Sequence, residues 1–277
     1  MHESEINATT RARWPIAAAM GSALAFGTIC NWPVSGAGGR TARGFSFVNH
    51  ALVLTDQGRY EESLRESERA IQVAARERIA AVVGGGDEVG PRMASGFALA
   101  QLGRLDEALA AYKAAAKTDP GYGEAWRGVG EILLRLGRVE EAAEPLQRAA
   151  QAEPGDAVAL NLLGSALGRS GRPGEAMEAL RRAIAIDDRL AGAWVNIGNV
   201  YLSVGRAREA AEAYAKSLML DPLNVDAHCN LGAARAALGD WVAAEDAYRN
   251  ALQMDPARSD AREALAEVER RRKAAGK

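Results

Sequence analysis

A period of thirty-four residues runs through most of this 277-residue chain and restricts the folds open to it. Four places in the period carry the same residue type in successive copies. Two are glycines, at Gly96, Gly130, Gly164, Gly198 and Gly232 and at Gly103, Gly137, Gly171, Gly205 and Gly239. The third is an alanine, at Ala108, Ala142, Ala176, Ala210 and Ala244, and the fourth is a proline, at Pro120, Pro154, Pro222 and Pro256, with Asp188 in the missing place. A repeat of this length is one supersecondary unit, and stacked units bury a continuous core.

Each recurring residue has a physical reason to lie at a helix end or at a helix crossing. A glycine in an LGR sequence, such as Gly103, takes the left-handed conformation that ends a helix. A proline such as Pro120 cannot continue a helix, so it closes the second helix of a copy. Facing small residues, such as Gly198 and Ala210, let two helices cross closely. The period therefore predicts one pair of antiparallel helices per copy.

The segment AWVNIGNVYLSVGRAREAAEAYAKSLMLDP, from Ala193 to Pro222, resembles a tetratricopeptide repeat. The resemblance implies an all-α fold, a right-handed α-solenoid of antiparallel helix pairs. We number five regular units within residues 89–258, as unit 1 (89–122), unit 2 (123–156), unit 3 (157–190), unit 4 (191–224) and unit 5 (225–258). A degenerate unit lies at 44–77, within a predicted region 44–88, and a charged capping helix with a tail is predicted at 259–277.

Eleven extra residues, centred on Gly84 to Asp87, separate the degenerate unit from unit 1. Two interpretations stay open. The insertion is a hinge or a loop that fits a partner, or it is an insertion that a surface connection tolerates at small entropic cost.

Composition limits the possible functions. Hydrophobic residues make up 48% of the chain, which is enough to bury a core, and the formal net charge is −2. A general nucleic-acid binder needs a clear basic excess, so we expect no nucleic-acid partner. The two cysteines, Cys30 and Cys229, form neither a metal-site pattern nor a disulfide framework. The sequence does not determine the oligomeric state.

Residues 1–43 form an N-terminal segment that contains an uncharged run from Ile16 to Cys30. One interpretation is a membrane anchor over residues 14–32, since nineteen residues span roughly 28 Å as a helix and Trp14 and Trp32 lie where an aromatic belt would place them. A second is a cleaved signal peptide, and a third is an apolar cytosolic tail packed on the first repeat. We expect a membrane-anchored or exported protein on the periplasmic side or in the cell envelope, rather than a cytoplasmic one.

The chain shows no constellation typical of an enzyme. Its three histidines are His2, His50 and His228, and His228 and Cys229 are neighbours that point in different directions on a helix. The run Gly84–Gly86 lacks the GK[ST] ending of a phosphate-binding loop. We therefore predict no catalytic residues, no cofactor and no metal site.

Stacked hairpins form a concave groove lined by their first helices. Polar residues at the positions that should face this groove are the candidate peptide-binding residues, since side-chain amides can pair with both N–H and C=O of a peptide and arginines can take carboxylates. A solvated face with no ligand is the alternative. The candidates are Arg127, Glu131, Arg135, Asn161, Ser165, Arg169, Asn196, Asn199, Ser203 and Asn230.

These observations predict a scaffold that binds a protein or peptide partner in its groove. The asparagines are similar to the asparagine ladder of repeat domains that present peptides to glycosyltransferases. A membrane helix followed by such repeats is also similar to the tail of multi-spanning bacterial glycosyltransferases. An alternative function is therefore an accessory module that recruits substrate for a membrane glycosyltransferase encoded elsewhere.

Deletion of residues 14–32 is expected to move the protein from the membrane fraction to the soluble fraction, because the apolar run supplies the membrane contact. Fractionation of cells that express the full chain with a C-terminal tag, with intact mass spectrometry, measures this. A full-length mass in the soluble fraction before deletion would favour the cytosolic tail. A mass shortened near Ser35 and Ala37, small residues of the kind found at cleavage sites, would favour a cleaved signal.

Overall fold

The computed structural model describes residues 41–80 and 89–276, with side chains from 49–73 and 89–276. The predicted anchor or signal at 14–32 and the insertion at Gly84–Asp87 lie outside these residues. Within the described residues there are thirteen α-helices and no β-strand. Among them, no helix combines the length and the apolar character needed to cross a membrane.

The helices alternate between a first and a second helix of each pair. The first helices are α1 (Thr41–Asp56), α3 (Val89–Gln101), α5 (Gly123–Arg135), α7 (Ala157–Arg169), α9 (Ala191–Ser203), α11 (Val225–Ala237) and α13 (Ser259–Ala275). The second helices are α2 (Tyr60–Ala80), α4 (Leu105–Thr118), α6 (Val139–Ala152), α8 (Pro173–Ile186), α10 (Ala207–Leu220) and α12 (Trp241–Met254). From α3 on, each second helix packs against the first helix of its own pair and against the next first helix. The predicted right-handed α-solenoid of antiparallel helix pairs is confirmed.

Glycine ends the first helix of each pair in the conformation that the sequence predicts. Gly103 has φ +75° and Gly205 has φ +77°, and the equivalent glycines lie close to these values. The chain reverses there, so the N–H of Arg104 donates to the carbonyl of Leu99 at 2.9 Å. This hydrogen bond satisfies a carbonyl that the helix end leaves without a partner. The glycine thus lets the second helix begin at once and fold back on the first.

A second glycine of each unit lies where the two helices cross. A Cβ atom on Gly198 would lie 2.5 Å from a ring carbon of Tyr214, and one on Gly232 would lie 2.9 Å from the ring of Tyr248. The large side chain of the second helix therefore occupies the space that the glycine leaves free. In the degenerate unit the equivalent residues are Ala51 and Ser67, so the first-helix residue is larger than glycine and the second-helix residue is smaller than tyrosine.

Side-chain N–H groups near the start of several first helices hold the loops between units. The indole nitrogen of Trp126 donates to the carbonyl of Pro120 at 2.9 Å, and that of Trp194 donates to the carbonyl of Asp188 at 3.1 Å. His228 reaches the carbonyl of Pro222 in the same way at 3.1 Å. Because the acceptor is a main-chain carbonyl, Asp188 supports this contact without the proline found in the other units.

Paired charges mark the start of the second helices. Arg104 donates two hydrogen bonds of 2.7 Å to the carboxylate of Glu107. The same arginine–glutamate pair recurs in the degenerate unit and in units 2 to 4. In unit 5 the carboxylate of Asp240 instead accepts a hydrogen bond from the N–H of Ala243. A carboxylate in the first turn also complements the positive end of the helix dipole.

Helix α13 packs on α12 and presents a charged surface on its other side. Ala261 and Val268 of α13 are buried against α12, and Arg272 donates to the buried carboxylate of Glu245 at 2.6 Å. Its remaining face is exposed and rich in arginine and glutamate. Such a face does not favour the stacking of a further helix.

Replacing Gly198 by Ala is expected to destabilise the protein by about 1–3 kcal/mol, because the new methyl group overlaps the Tyr214 ring. Urea unfolding followed by circular dichroism at the helix band measures the change. Gly174→Ala is the matched control: a Cβ there meets nothing within 4 Å, so the same substitution should be neutral or slightly stabilising. Equal midpoints for the two variants would contradict this crossing geometry.

The arginine–glutamate pairs are expected to make stability acid-sensitive. The hydrogen bond from arginine lowers the pKa of Glu107, and the equivalent glutamates behave alike. A lowered folded-state pKa gives stability that is present above the unfolded value, about 4.3, and is lost as pH falls through the folded pKa. The residues concerned are Glu62, Glu107, Glu141, Glu175 and Glu209.

A variant with all five of these glutamates changed to glutamine tests this expectation. Its urea midpoint should lie below that of the wild-type protein at about pH 7, and the two should converge near about pH 3. The control changes five exposed glutamates to glutamine, which keeps the net charge change the same. Their carboxylates form no hydrogen bond or ion pair with an arginine among the described residues. An equal effect in the control would contradict the assignment. The control residues are Glu61, Glu68, Glu140, Glu178 and Glu212.

Candidate functional site

The first helices of neighbouring units contact one another, from α3 through to α13. The second helices of neighbouring units make no such contacts in the part of the chain that the structure describes. In a curved stack, the layer whose members approach most closely is the inner one. The first helices therefore line the inner side of the array, which we call the inner groove.

Side-chain amides connect three first helices along the inner groove. The amide nitrogen of Asn196 on α9 donates to the amide oxygen of Asn161 on α7 at 2.8 Å. Asn230 on α11 donates in the same way to Asn199 on α9 at 3.1 Å. The four asparagines, which the sequence predicted separately, thus form two bonded pairs that bridge successive units.

Tyr214, on a second helix, also hydrogen-bonds to one of these asparagines. Its hydroxyl donates to the amide oxygen of Asn199 at 2.8 Å, although the tyrosine belongs to the second helix α10. Tyr214 was not among the residues predicted to face the groove. The sequence shows that this large side chain ends in a hydroxyl group and lies opposite Gly198. The direction of the hydroxyl, however, depends on how α9 and α10 cross.

Arg127 lies close to two carboxylates, one in its own helix and one just before α7. Its Nε lies 3.0 Å from Oδ2 of Asp156, and one terminal nitrogen lies 3.6 Å from Oε1 of Glu124. The Nε–H does not point at an oxygen well enough to form a hydrogen bond. The side chain is only 17% exposed, so this ion pair connects α5 to the residue that precedes α7 and leaves little of the guanidinium free.

The other charged candidates differ in their partners. Arg135 donates to the main-chain carbonyl of Ala100 near the end of α3 at 2.9 Å, and it remains exposed. Arg169 and Glu131 are exposed and form no hydrogen bond or ion pair within residues 41–80 and 89–276. The groove therefore presents two arginines without a carboxylate partner in that part of the chain.

The two serines play smaller parts in this surface. Ser203 donates its hydroxyl to the carbonyl of Val200 in its own helix at 2.8 Å. Ser165 is partly buried and makes no hydrogen bond to another described residue. The structure therefore places the ten predicted residues on the first helices, but only the asparagines connect directly with one another.

Outside the groove, we looked for reactive or metal-binding side chains among the described residues. His228 holds the loop carbonyl of Pro222, and burial raises the pKa of the Cys229 thiol, which therefore keeps its proton at neutral pH. Within residues 41–80 and 89–276, no three His, Cys, Asp or Glu side chains lie together in a way that would hold a metal ion.

Comparisons with known proteins agree with this architecture. Two tetratricopeptide repeat models match the chain, one over residues 94–157 and 195–259 and the other over residues 157–189. No curated protein matches the sequence. Among solved structures, MamA is 30% identical over 61% of this chain and 92% of its own, with a TM-score of 0.51.

Two further structures share the fold at lower identity. PilF of Pseudomonas aeruginosa is 15% identical, with a TM-score of 0.67 over 83% of this chain and 100% of its own. YrrB, described as a tetratricopeptide repeat protein with an unusual peptide-binding site, is 23% identical, with a TM-score of 0.52 over 70% of this chain and 97% of its own. The repeat models and the stacked helix pairs lead to one conclusion: this chain belongs to the tetratricopeptide repeat family, whose members act as protein-interaction scaffolds.

Proposed function

We propose that this protein is an interaction scaffold that holds an extended segment of a partner protein in its inner groove. The observation that carries the proposal is the row of side-chain amides on α7, α9 and α11. Side chains that served only helix packing would be apolar at these positions, and amides that are buried without partners would destabilise the fold.

The amide pairs keep hydrogen-bonding capacity for a ligand. Each amide group has two N–H donors and one oxygen acceptor. Asn161 uses its oxygen within the pair with Asn196, and Asn196 uses one N–H, so a donor group and an acceptor oxygen have no partner among the described residues. A peptide backbone offers the matching C=O and N–H groups. A peptide-binding site has been described for YrrB, which has the same fold.

The arginines extend this surface towards the first units. Arg135 and Arg169 lie at the same position of units 2 and 3, and no carboxylate in the described part of the chain pairs with either. Guanidinium groups form strong, directional hydrogen bonds with carboxylates. A ligand that carries acidic side chains next to its amide-bound segment therefore fits the charge of the groove.

A cellular location is part of the proposal. We propose that residues 14–32 tether it to a membrane or direct its export, on the strength of the uncharged run from Ile16 to Cys30 and its flanking tryptophans. Service to a membrane glycosyltransferase system is compatible with that location, and the order of sequence features is its only support.

Changing Asn196 and Asn230 to Ala together is expected to abolish binding of peptides that are selected on the full chain from a random display library. Both amides lie in the groove and each takes part in one inter-unit hydrogen bond, whose loss costs only about 1 kcal/mol of stability. Fluorescence anisotropy with the selected peptides measures affinity, and urea unfolding checks that the variant remains folded.

A matched variant controls for the loss of amide groups. Gln151→Ala with Asn250→Ala removes two exposed amides from second helices and should leave peptide affinity unchanged. Full affinity in the groove variant would contradict the groove assignment. The next candidate binding surface would be the exposed apolar side chains at the end of α10 and in the following loop. These are Met219, which is 83% exposed, and Leu223, which is 75% exposed.

A further inference from the structure

The amide oxygen of Asn199 has no capacity left for a ligand. It accepts hydrogen bonds from the Tyr214 hydroxyl at 2.8 Å and from the amide nitrogen of Asn230 at 3.1 Å. Because an amide oxygen has two lone pairs, these two donors saturate it. The side chain is nevertheless exposed, and its own NH₂ group donates to no other described residue. Asn199 therefore presents donors to the groove.

Tyr214 is built into the core in a way that fixes this orientation. The residue is completely buried, and its ring lies against the main chain of Gly198, where a Cβ atom would lie only 2.5 Å away. Burial raises the pKa of Tyr214, so the hydroxyl keeps its proton at neutral pH and remains a donor. A buried donor that meets an oxygen prevents the Asn199 amide from turning that oxygen towards the groove.

This arrangement is specific to unit 4 among the five regular units. Units 1 and 5 also have a tyrosine at this position, but the residue after the facing glycine is Phe97 in unit 1 and Ala233 in unit 5, and neither has a side-chain acceptor. In units 2 and 3 the tyrosine is replaced by a leucine, Leu146 and Leu180. The period of the repeat alone would not distinguish unit 4 in this respect.

The neighbouring unit presents donors as well. The oxygen of Asn161 accepts from Asn196 at 2.8 Å, which leaves the Asn161 NH₂ group without a partner among the described residues. Arg169, on the same helix, can only donate. The Asn196 oxygen is an acceptor at this junction, but the NH₂ groups of Asn161 and Asn199 are donors, so donor groups outnumber it where units 3 and 4 meet in the groove.

We propose that Tyr214 is a positioning residue that determines specificity. By saturating the Asn199 oxygen, it makes this part of the groove select ligand segments that place oxygen acceptors against it. The acceptor is a main-chain carbonyl or a carboxylate, which share this chemistry. The inference rests on the proposed function, because it concerns the same groove.

The first test needs no ligand. In the full chain labelled with ¹⁵N, Tyr214→Phe is expected to shift the side-chain amide resonances of Asn199, which are assigned by their loss in Asn199→Ala. Tyr248→Phe is the matched control, since it removes the hydroxyl of the equivalent tyrosine where no amide faces it. Resonances that stay in place in Tyr214→Phe would overturn the inference.

The second test uses the display-selected peptides as probes. Tyr214→Phe is expected to weaken their binding about five- to tenfold, the usual effect of losing one well-placed hydrogen bond, and Tyr248→Phe to leave it unchanged. In an Asn199→Ala background, Tyr214→Phe should have no further effect, because it acts through Asn199. A full effect in that background would show a general packing role and overturn the inference.

Peptide variants separate the two sources of the acceptor. Peptides whose Asp and Glu are changed to Asn and Gln should lose the difference between wild-type protein and Tyr214→Phe if the acceptor is a carboxylate. They should keep the difference if the acceptor is a main-chain carbonyl. Failure to select any peptide contradicts the proposed function, whereas unmoved Asn199 resonances contradict the role of Tyr214 alone.

Discussion

The close crossing of two helices at a glycine is the contact on which the rest of the molecule depends. In unit 4, Gly198 leaves no side chain in the path of Tyr214, and the aromatic ring fills the space against the main chain. Protein interiors are packed to the density of organic crystals, so a methyl group at this point cannot be absorbed without movement. In the degenerate unit the equivalent positions hold two small buried residues, Ala51 and Ser67.

The arrangement of the helices determines which surface remains available to bind a ligand. Because the first helices of neighbouring units contact one another and the second helices do not, the first helices form an inner layer and the second helices an outer one in the described part of the chain. Main-chain carbonyls of the loops are held by side chains such as Trp126 and Trp194, and arginine–glutamate pairs hold the starts of the second helices. These local contacts do not involve the asparagines of units 3 to 5, which remain on the groove side of the first helices.

The inner surface is organised even without a ligand. The asparagines bridge neighbouring units, and Arg127 connects α5 to Asp156, the residue that precedes α7. Polar networks in partly buried places cost free energy when half satisfied, so their pairing stabilises the array as well as shaping the groove. Tyr214 links the two roles, since one side chain both fills the core of unit 4 and orients an amide on its surface.

Much of the fold could be predicted from the sequence because the constraints are local. Gly103 and its equivalents must adopt a positive φ to end a helix, and a thirty-four-residue period implies stacked helix pairs. The period also assigns residues to the inner face, since side chains three and four apart share one side of a helix. That is why the positions of the candidate groove residues were predictable.

Which of these residues contact one another was decided by the tertiary structure. Asn161 and Asn196 are thirty-five residues apart, one more than the period, so they do not occupy equivalent positions in their units. They meet because α7 and α9 pack closely against each other. In the same way, the sequence places a large side chain at Tyr214, but only the crossing angle over Gly198 directs its hydroxyl to Asn199. The sequence by itself determined the helices, their turns and their inward faces, because these depend on neighbours along the chain. The hydrogen bonds that define the groove depend on distances between helices, which only packing in three dimensions determines.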